Sequence, residues 1–381
     1  MNIGPRSTSG STRDATSRHR SGRSRSVKPD GGVRLLGVPT VLDRLVQQAI
    51  TQALEPIFDP GFSSRSYGFR RFRSAHQAVE QSRVWLEEGF RWVVDVDLEK
   101  FFDQVNHDKL MHRVSRRVAD KRLLKLIHRY LQAGVMVDGV KQPSGEGTPQ
   151  GSPLSPLLSN IMLDDLDKEL EARGHRFVRY ADDVRVFVRS ERAAHRVLDG
   201  ITDVVEGRLK LKVDREKSSV STASVATLLG FGFYFAPGGK VGIRVAPKAF
   251  KRLKVRLRQL TRRNWGVSME HRLEKLNRYS AGWCAYFGLA DGRKRFEAVD
   301  EWVRRRLRAV RWKQWKRTRT RIRELRALGM PPDMAYQWAM TSKGAWRTAG
   351  SAPLHRAMPN SYWHDHGLRG LAYHWHNRRG A

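Results

Sequence analysis

Leu42, Leu45, Val46, Ala49, Ile50, Ala53 and Leu54 recur at three- and four-residue intervals, which predicts an amphipathic helix. Thr40, followed three residues later by Asp43, supplies a capping box at its start. A second helix is expected from Ser74 to Glu88. The period then changes. From Phe90 to Leu98 the chain reads as a strand in which Val93, Asp95 and Asp97 share one face, and two carboxylates beside an apolar run need a reason. Phe101-Phe102-Asp103 leads into a helix that starts near Asn106 or His107 and runs through Leu110 and Val114. Leu163, Leu166 and Leu170 mark another helix, with Ser155 as its N-cap and Pro156 in its first position.

Phe177 to Val188 holds two β-favouring runs around a short Ala181-Asp182 tip, the pattern of a hairpin with adjacent acids, Asp182 and Asp183, at its turn. Two acids this close raise each other's pKa unless a cation sits beside them, which suggests a metal site. Asp is also common in ordinary surface turns, and this segment alone leaves both readings open. Residues 192–209 read as helix, Leu211 to Val213 as strand, and Leu228 to Phe235 as an apolar strand ending at Pro237-Gly238-Gly239. Beyond Pro247, three successive amphipathic helices carry Phe250 to Leu260, Leu273 to Phe287 and Phe296 to Val310. Two stretches lack any period. Residues 1–27, rich in Ser, Gly and Arg, read as a disordered basic arm, and Gly145 to Pro153 reads as a shaped loop.

Charge narrows the class of partner. The 381 residues hold 72 Lys and Arg against 38 Asp and Glu, a net charge of +34 that calls for a polyanion. No apolar run approaches the roughly 18 residues of a spanning helix, so nucleic acid is favoured over a membrane. Between Trp302 and Arg326 twelve Lys or Arg stand against one acid, Glu324, with Trp312 and Trp315 among them, a density that favours nucleic acid over a merely solvated face. Ser66 to Arg73 also interleaves bases with aromatics. The single cysteine, Cys284, excludes an intramolecular disulfide and reads as a small core residue, in keeping with a reducing compartment. His364, His366, His374 and His376 have no Cys pair beside them and read as structural or surface residues.

Three motifs in order carry a resemblance: Asp97-Leu98-Glu99-Lys100-Phe101-Phe102-Asp103, Gly147-Thr148-Pro149-Gln150-Gly151-Ser152-Pro153, and Tyr180-Ala181-Asp182-Asp183. With Lys28-Pro29-Asp30-Gly31-Gly32, Tyr67-Gly68-Phe69-Arg70, Leu229-Gly230-Phe231, Asn277-Arg278-Tyr279 and Gly282-Trp283, the chain resembles the reverse transcriptase and maturase proteins of bacterial group II introns. The resemblance implies an α+β right-hand polymerase: fingers and a palm with an antiparallel sheet over 28–240, a helical thumb or maturase domain over 241–326, and a basic extension over 327–381. Only the low-complexity arm precedes Lys28, where the family has a longer fingers region, so either a truncated copy or a misassigned start is expected. Arg71-Phe72 stands where the family has Pro-Gly, and Asp214 where it has Asn.

The resemblance also implies a mechanism and its residues. Asp97 is chosen over Asp95 as the first catalytic acid, with Asp182 and Asp183 beside it and the Leu98 carbonyl as a further ligand, for two Mg²⁺ ions replaceable by Mn²⁺. Lys28, Arg70, Gln150 and Gly151 would meet the nucleotide. Phe102 would be a steric gate, or else a core residue, and Lys217 would donate a proton to pyrophosphate. Arg304, Arg305, Arg308, Arg311, Lys313, Lys316 and Arg317 would grip RNA, with Trp312 and Trp315 free to stack on bases. Implied partners are the intron RNA, an RNA template with a DNA primer, dNTPs and target DNA, in a cytoplasmic, nucleoid-associated ribonucleoprotein. With no Cys-bearing nuclease domain, a borrowed primer is expected. The alternative is an RNA-binding splicing factor without efficient polymerase activity.

Overall fold

The computed structural model describes residues 22–27, 33–132, 135–137, 140–142 and 151–379. Two compact units divide between Thr222 and Ala223. In the first, strands β1 (Gly22–Val27) and β2 (Val33–Val38) pair antiparallel, so the last six residues of the expected arm have ladder partners that composition does not reveal. Helix α1 (Val41–Phe58) follows, with Thr40 Oγ1 accepting the Asp43 N–H at 3.1 Å. Helix α2 (Ala75–Glu87) opens on a complete Ser74–Gln77 capping box.

Strand β3 (Trp92–Val96) leads through the short α3 (Phe101–Gln104) to α4 (His107–Ser115) and α5 (Lys121–Gln132). The small strands β4 (Val135–Val137) and β5 (Val140–Gln142) precede α6 (Ser155–Ala172), the hairpin β6 (Arg176–Tyr180) and β7 (Asp183–Val188), α7 (Glu191–Asp203) and β8 (Ser219–Thr222). Leu154 rather than Ser155 caps α6, which puts Ser155 and Pro156 together in its first turn. The helix expected over 192–209 changes to π geometry at Val204–Leu209.

The central sheet is antiparallel throughout, in the order β6-β7-β3-β8. Strand β8 had no sequence expectation. Leu211 to Val213, expected as a strand, contributes only a single bridge, Val213 to Leu98. Alternation gives the sheet two unlike faces. Val94 and Val96 of β3, with Leu98 just beyond it, and Val184, Val186 and Val188 of β7 are buried with α1, α4 and α6 in the main core. The other face carries Val93 and Phe187, with Trp85 of α2 packed on Phe187 at 5.6 Å, and then the acids.

The second unit opens with a three-stranded sheet of β9 (Thr227–Leu228), β10 (Phe231–Phe235) and β11 (Val241–Val245), in the order β11-β10-β9. The three expected helices follow as α8 (Pro247–Leu260), α9 (Met269–Phe287) and α10 (Arg293–Gln314). Helices α11 (Thr318–Ala327), α12 (Pro332–Ala339), α13 (Ala345–Thr348), α14 (Ala352–Ala357), α15 (Asn360–Asp365) and α16 (Leu371–Arg379) complete it. The C-terminal stretch packs back on α9 and α10. Asp300 of α10 accepts the N–H groups of Leu371 and Ala372 at 2.8 and 2.9 Å, an acid at the positive end of α16. Among the described residues no helix is long and apolar enough to cross a membrane.

Candidate active site

Asp97 follows β3 directly, one residue past the Val96–Val184 pair, so the strand delivers it beside the turn between β6 and β7. Its backbone is gripped from the other side. The Asp97 carbonyl accepts the Asp214 N–H at 2.9 Å, and its N–H donates to Ser218 Oγ at 3.1 Å. Burial pushes the Asp97 carboxyl up; Asp214 and Asp182 act in the same direction, and Lys217 opposes them. Asp182, at the turn, therefore lies within electrostatic reach of Asp97. The turn has only two residues, Ala181 and Asp182, and Ala181 adopts φ 60°.

A frame that the sequence left unmarked holds this turn. Arg179, wholly buried, makes a two-pronged ion pair with Asp167 of α6 at 2.7 and 2.6 Å. Its remaining terminal nitrogen donates to Asn160 Oδ1 and to the Ala181 carbonyl, both at 2.9 Å. On the other side the Tyr67 N–H donates to the Arg179 carbonyl at 2.8 Å, and a β-carbon on Gly68 would stand 2.2 Å from the Ala181 nitrogen. Only glycine allows that approach.

Asp183 has a different environment from Asp182. Its Oδ1 and that of Asp95 both pair with the guanidinium of Arg185, which faces Asp95 across the β3–β7 ladder. Asp183 Oδ1 is buried and accepts no hydrogen bond, so the pairing is one of charge. Burial pushes the Asp95 carboxyl up to about 6, opposed by Arg185 and reinforced by Asp183 and Asp97; Asp183 is pushed up by burial in the same way. Asp95 was read on the acid-bearing face, whereas Arg185 was not singled out; its alternation with Asp183 is the signal that could have put it on that face, and the register makes the two neighbours.

Among the described residues no three His, Cys, Asp or Glu side chains converge closely enough to hold a metal ion. A polymerase-type Mg²⁺ site does not need three, because this ion keeps water and takes one or two carboxylates together with substrate phosphates. Asp97 and Asp182, crowded and like-charged, fit that donor set; Asp183 is tied to Arg185.

The other expected residues fall into three groups. Lys28 and Gln150 lie outside the described residues, as do residues 143–149 of the shaped loop; Gly151 is exposed with φ 102°. Lys217 is exposed and ion-paired with Asp214, which raises its pKa, with Asp97 adding to the effect. Leu98 is buried and bridges Val213, while Phe102 is half-buried, edge-on to Phe101 at 5.2 Å.

Arg70 is a correction. Its guanidinium bonds Asp59 at 2.7 Å and the carbonyls of Ser63, Ser66 and Asp59 at 2.5, 3.0 and 3.0 Å, so it braces its own loop and has little left for a phosphate. Arg308 is another: buried in α10, it bonds the carbonyls of Ala349 and Met358 and the ring of His355. Trp312 and Trp315 are buried as well and cannot stack on bases. Arg304, Arg305 and Arg311 are half-buried, with Arg305 4.2 Å from the Trp346 ring centroid; Lys313, Lys316 and Arg317 are exposed.

Residues 250–329 match the group II intron, maturase-specific domain. Protein YkfC of Escherichia coli is 35% identical over 231 residues, covering 51% of this chain and 61% of that protein. The group II intron-encoded protein LtrA of Lactococcus lactis is 39% identical over 136 residues, 36% of this chain and 22% of that one. The matches thus span less than two thirds of either relative. Among solved structures, apo telomerase from Candida tropicalis aligns over 94% of this chain and 67% of its own, at 12% identity and a TM-score of 0.48. Residues 27–259 match the reverse transcriptase (RNA-dependent DNA polymerase) family across more than half of the sequence, and the chain belongs to that family.

Proposed function

We propose that the chain is an RNA-directed DNA polymerase of a group II intron, with a helical second unit that binds RNA in support of splicing and retrohoming. The observation that carries this reading is the meeting of Asp97, at the end of β3, with the turn that bears Asp182 and Asp183, in a chain of the reverse transcriptase family. Bound Mg²⁺, or Mn²⁺ in its place, would activate a primer 3′-hydroxyl and neutralise the triphosphate. Asp97 and Asp182 would supply the carboxylate ligands, with the Leu98 carbonyl as a further oxygen.

The chain's own groups do the positioning that phosphoryl transfer requires. Arg179 and Gly68 hold the turn, and the 214–218 segment holds Asp97. Asp183, through Arg185, shapes the local charge. Lys217 is held protonated by its pairing with Asp214 and would give its Nζ proton to the leaving pyrophosphate. Lys28, Gln150 and Gly151 would meet the incoming dNTP, and Phe102 keeps a packing role. Template RNA, DNA primer, target DNA and intron RNA are the partners, and a cytoplasmic ribonucleoprotein near the nucleoid is the setting.

Extension of a DNA primer annealed to an RNA template, with Mg²⁺, tests the reading. The full chain should yield product, and Asp182→Asn should reduce it to background; product from Asp182→Asn would sink the assigned site. Arg185 favours a second reading, because a built-in cation already neutralises Asp95 and Asp183. In that case the chain binds intron RNA without polymerising efficiently. Steeply salt-dependent RNA binding without any extension product would select it.

A further inference from the structure

Within the second unit, a cleft of about 900 Å³ opens between the end of α8, the ends of α10 and α11, and the segment at 341–345. Arg258, Arg262, Arg263, Lys313, Lys316 and Lys343 line it, all exposed, and no acid lines it. None of the six forms an ion pair with an acid among the described residues. Elsewhere in the unit surface arginines do find acids, as Arg293 does at Glu297 and Arg379 at Asp291. Two further arginines form the wall and are fixed in place. Arg306 donates to Thr261 Oγ1 at 2.5 Å, and Arg321 donates to the Trp315 carbonyl at 3.0 Å while lying 4.7 Å from the Trp312 ring centroid. Burial and the nearby charges of Arg258 and Arg263 hold Arg306 below its usual pKa, the mark of cations gathered without a counter-charge.

We infer that this cleft is a seat for the sugar–phosphate backbone of RNA, completed by the C-terminal segment. Fixed guanidinium walls with mobile Lys and Arg at the rim suit a run of phosphates, which the exposed cations neutralise as bound counter-ions leave. The segment at 341–345 lies beyond residue 329, where the maturase-specific match ends, and Arg258, Arg262 and Arg263 precede the dense basic run that marked this region in the sequence. The inference rests on the reading of the second unit as an RNA-binding unit and names where on it the backbone lies.

The test measures affinity of the full chain for an RNA duplex and for a DNA duplex of the same sequence, over a range of salt. The triple variant Arg262→Ala, Arg263→Ala, Lys343→Ala should bind about tenfold more weakly or worse, with a salt slope shallower by about three. Lys343→Ala alone should lower the slope by about one. The loss should be larger for RNA, and a larger loss for DNA overturns RNA as the occupant. The triple Lys248→Ala, Lys294→Ala, Arg295→Ala removes equal charge from exposed sites outside the cleft and should change both quantities less. Unchanged binding in the cleft variant, or an equal loss in the outside variant, overturns the seat alone. Failure of the unaltered chain to bind either duplex overturns the RNA-binding reading with it. Thermal melting of each variant separates a lost contact from a lost fold.

Discussion

Each unit buries an arginine, and the two are stabilised in different ways. Arg179 in the first unit meets a carboxylate, Asp167, in a dry two-pronged pair. Arg308 in the second has no carboxylate against it. The carbonyls of Ala349 and Met358, at the C-terminal ends of α13 and α14, accept its N–H hydrogen bonds, and burial with the adjacent Arg304 and Arg305 pushes its pKa down to about 10. Arg272 does the same with the carbonyls of Leu260, Arg262 and Trp265. Where acids are scarce, helix ends with unpaired carbonyls take over the work of a counter-ion. Part of the second unit's positive charge therefore belongs to its architecture, and only the remainder is free for a polyanion.

The contrast can be pressed at several points. The largest effect concerns how dry the second unit is. The Cys284 thiol, its pKa pushed by burial to about 12, should react with a disulfide reagent at pH 8 at least about 1000-fold more slowly than a free cysteine, and at the ordinary rate once the protein is denatured. Next is Arg179→Ala, which strands Asp167 in the core and should cost about 3–5 kcal/mol in denaturant titrations. A loss below about 1 kcal/mol would mean that the pair is dispensable and the contrast with Arg308 empty. Arg308→Ala should cost about 1–3 kcal/mol, because its carbonyl partners stay buried. Arg317→Ala, on the exposed side of the same basic run, should lie within about 0.5 kcal/mol of the parent and lower RNA affinity instead. Equal destabilisation by the two would erase the division between structural and binding arginines.

The smallest change is Phe72→Gly. Phe72 is exposed and sits at φ 60°, a conformation glycine adopts without cost, so the substitution should stabilise by up to about 1 kcal/mol. Phe72→Ala, which keeps a β-carbon, should give no gain. The loop thus holds Phe72, like Phe69 at φ 57°, in a backbone conformation that glycine adopts more readily.

Legibility differed along the same division. The hairpin, its two-residue turn and the strand that leads to Asp97 were readable because a strand's alternation fixes each side chain's direction to within one face. The same rule placed Asp95 on the acid face and, had it been applied to Arg185, would have put it there too, although only the sheet register showed that one guanidinium spans Asp95 and Asp183. Helix α10 was readable as a helix but not in its contacts. Arg304, Arg308, Arg311 and Trp312 recur at helical spacing, and the stripe that faces inward depends on where α13, α14 and α16 return, more than thirty residues later. Arg70 failed for a related reason: its partner Asp59 is eleven residues away, across a loop that no periodicity describes.

By itself the sequence determined the main helices of both units, the catalytic hairpin, the order of the motifs, the acids after β3 and at the turn, and the excess of positive charge. These rest on local rules of backbone geometry and on composition. Only the tertiary structure decided which charges are spent. Ion pairing and burial depend on distances of a few ångströms between residues far apart in the chain. That is why Arg179, Arg70 and Arg308 became struts, Arg185 joined the acids, and Arg262, Arg263 and Lys343 came together around one open cleft.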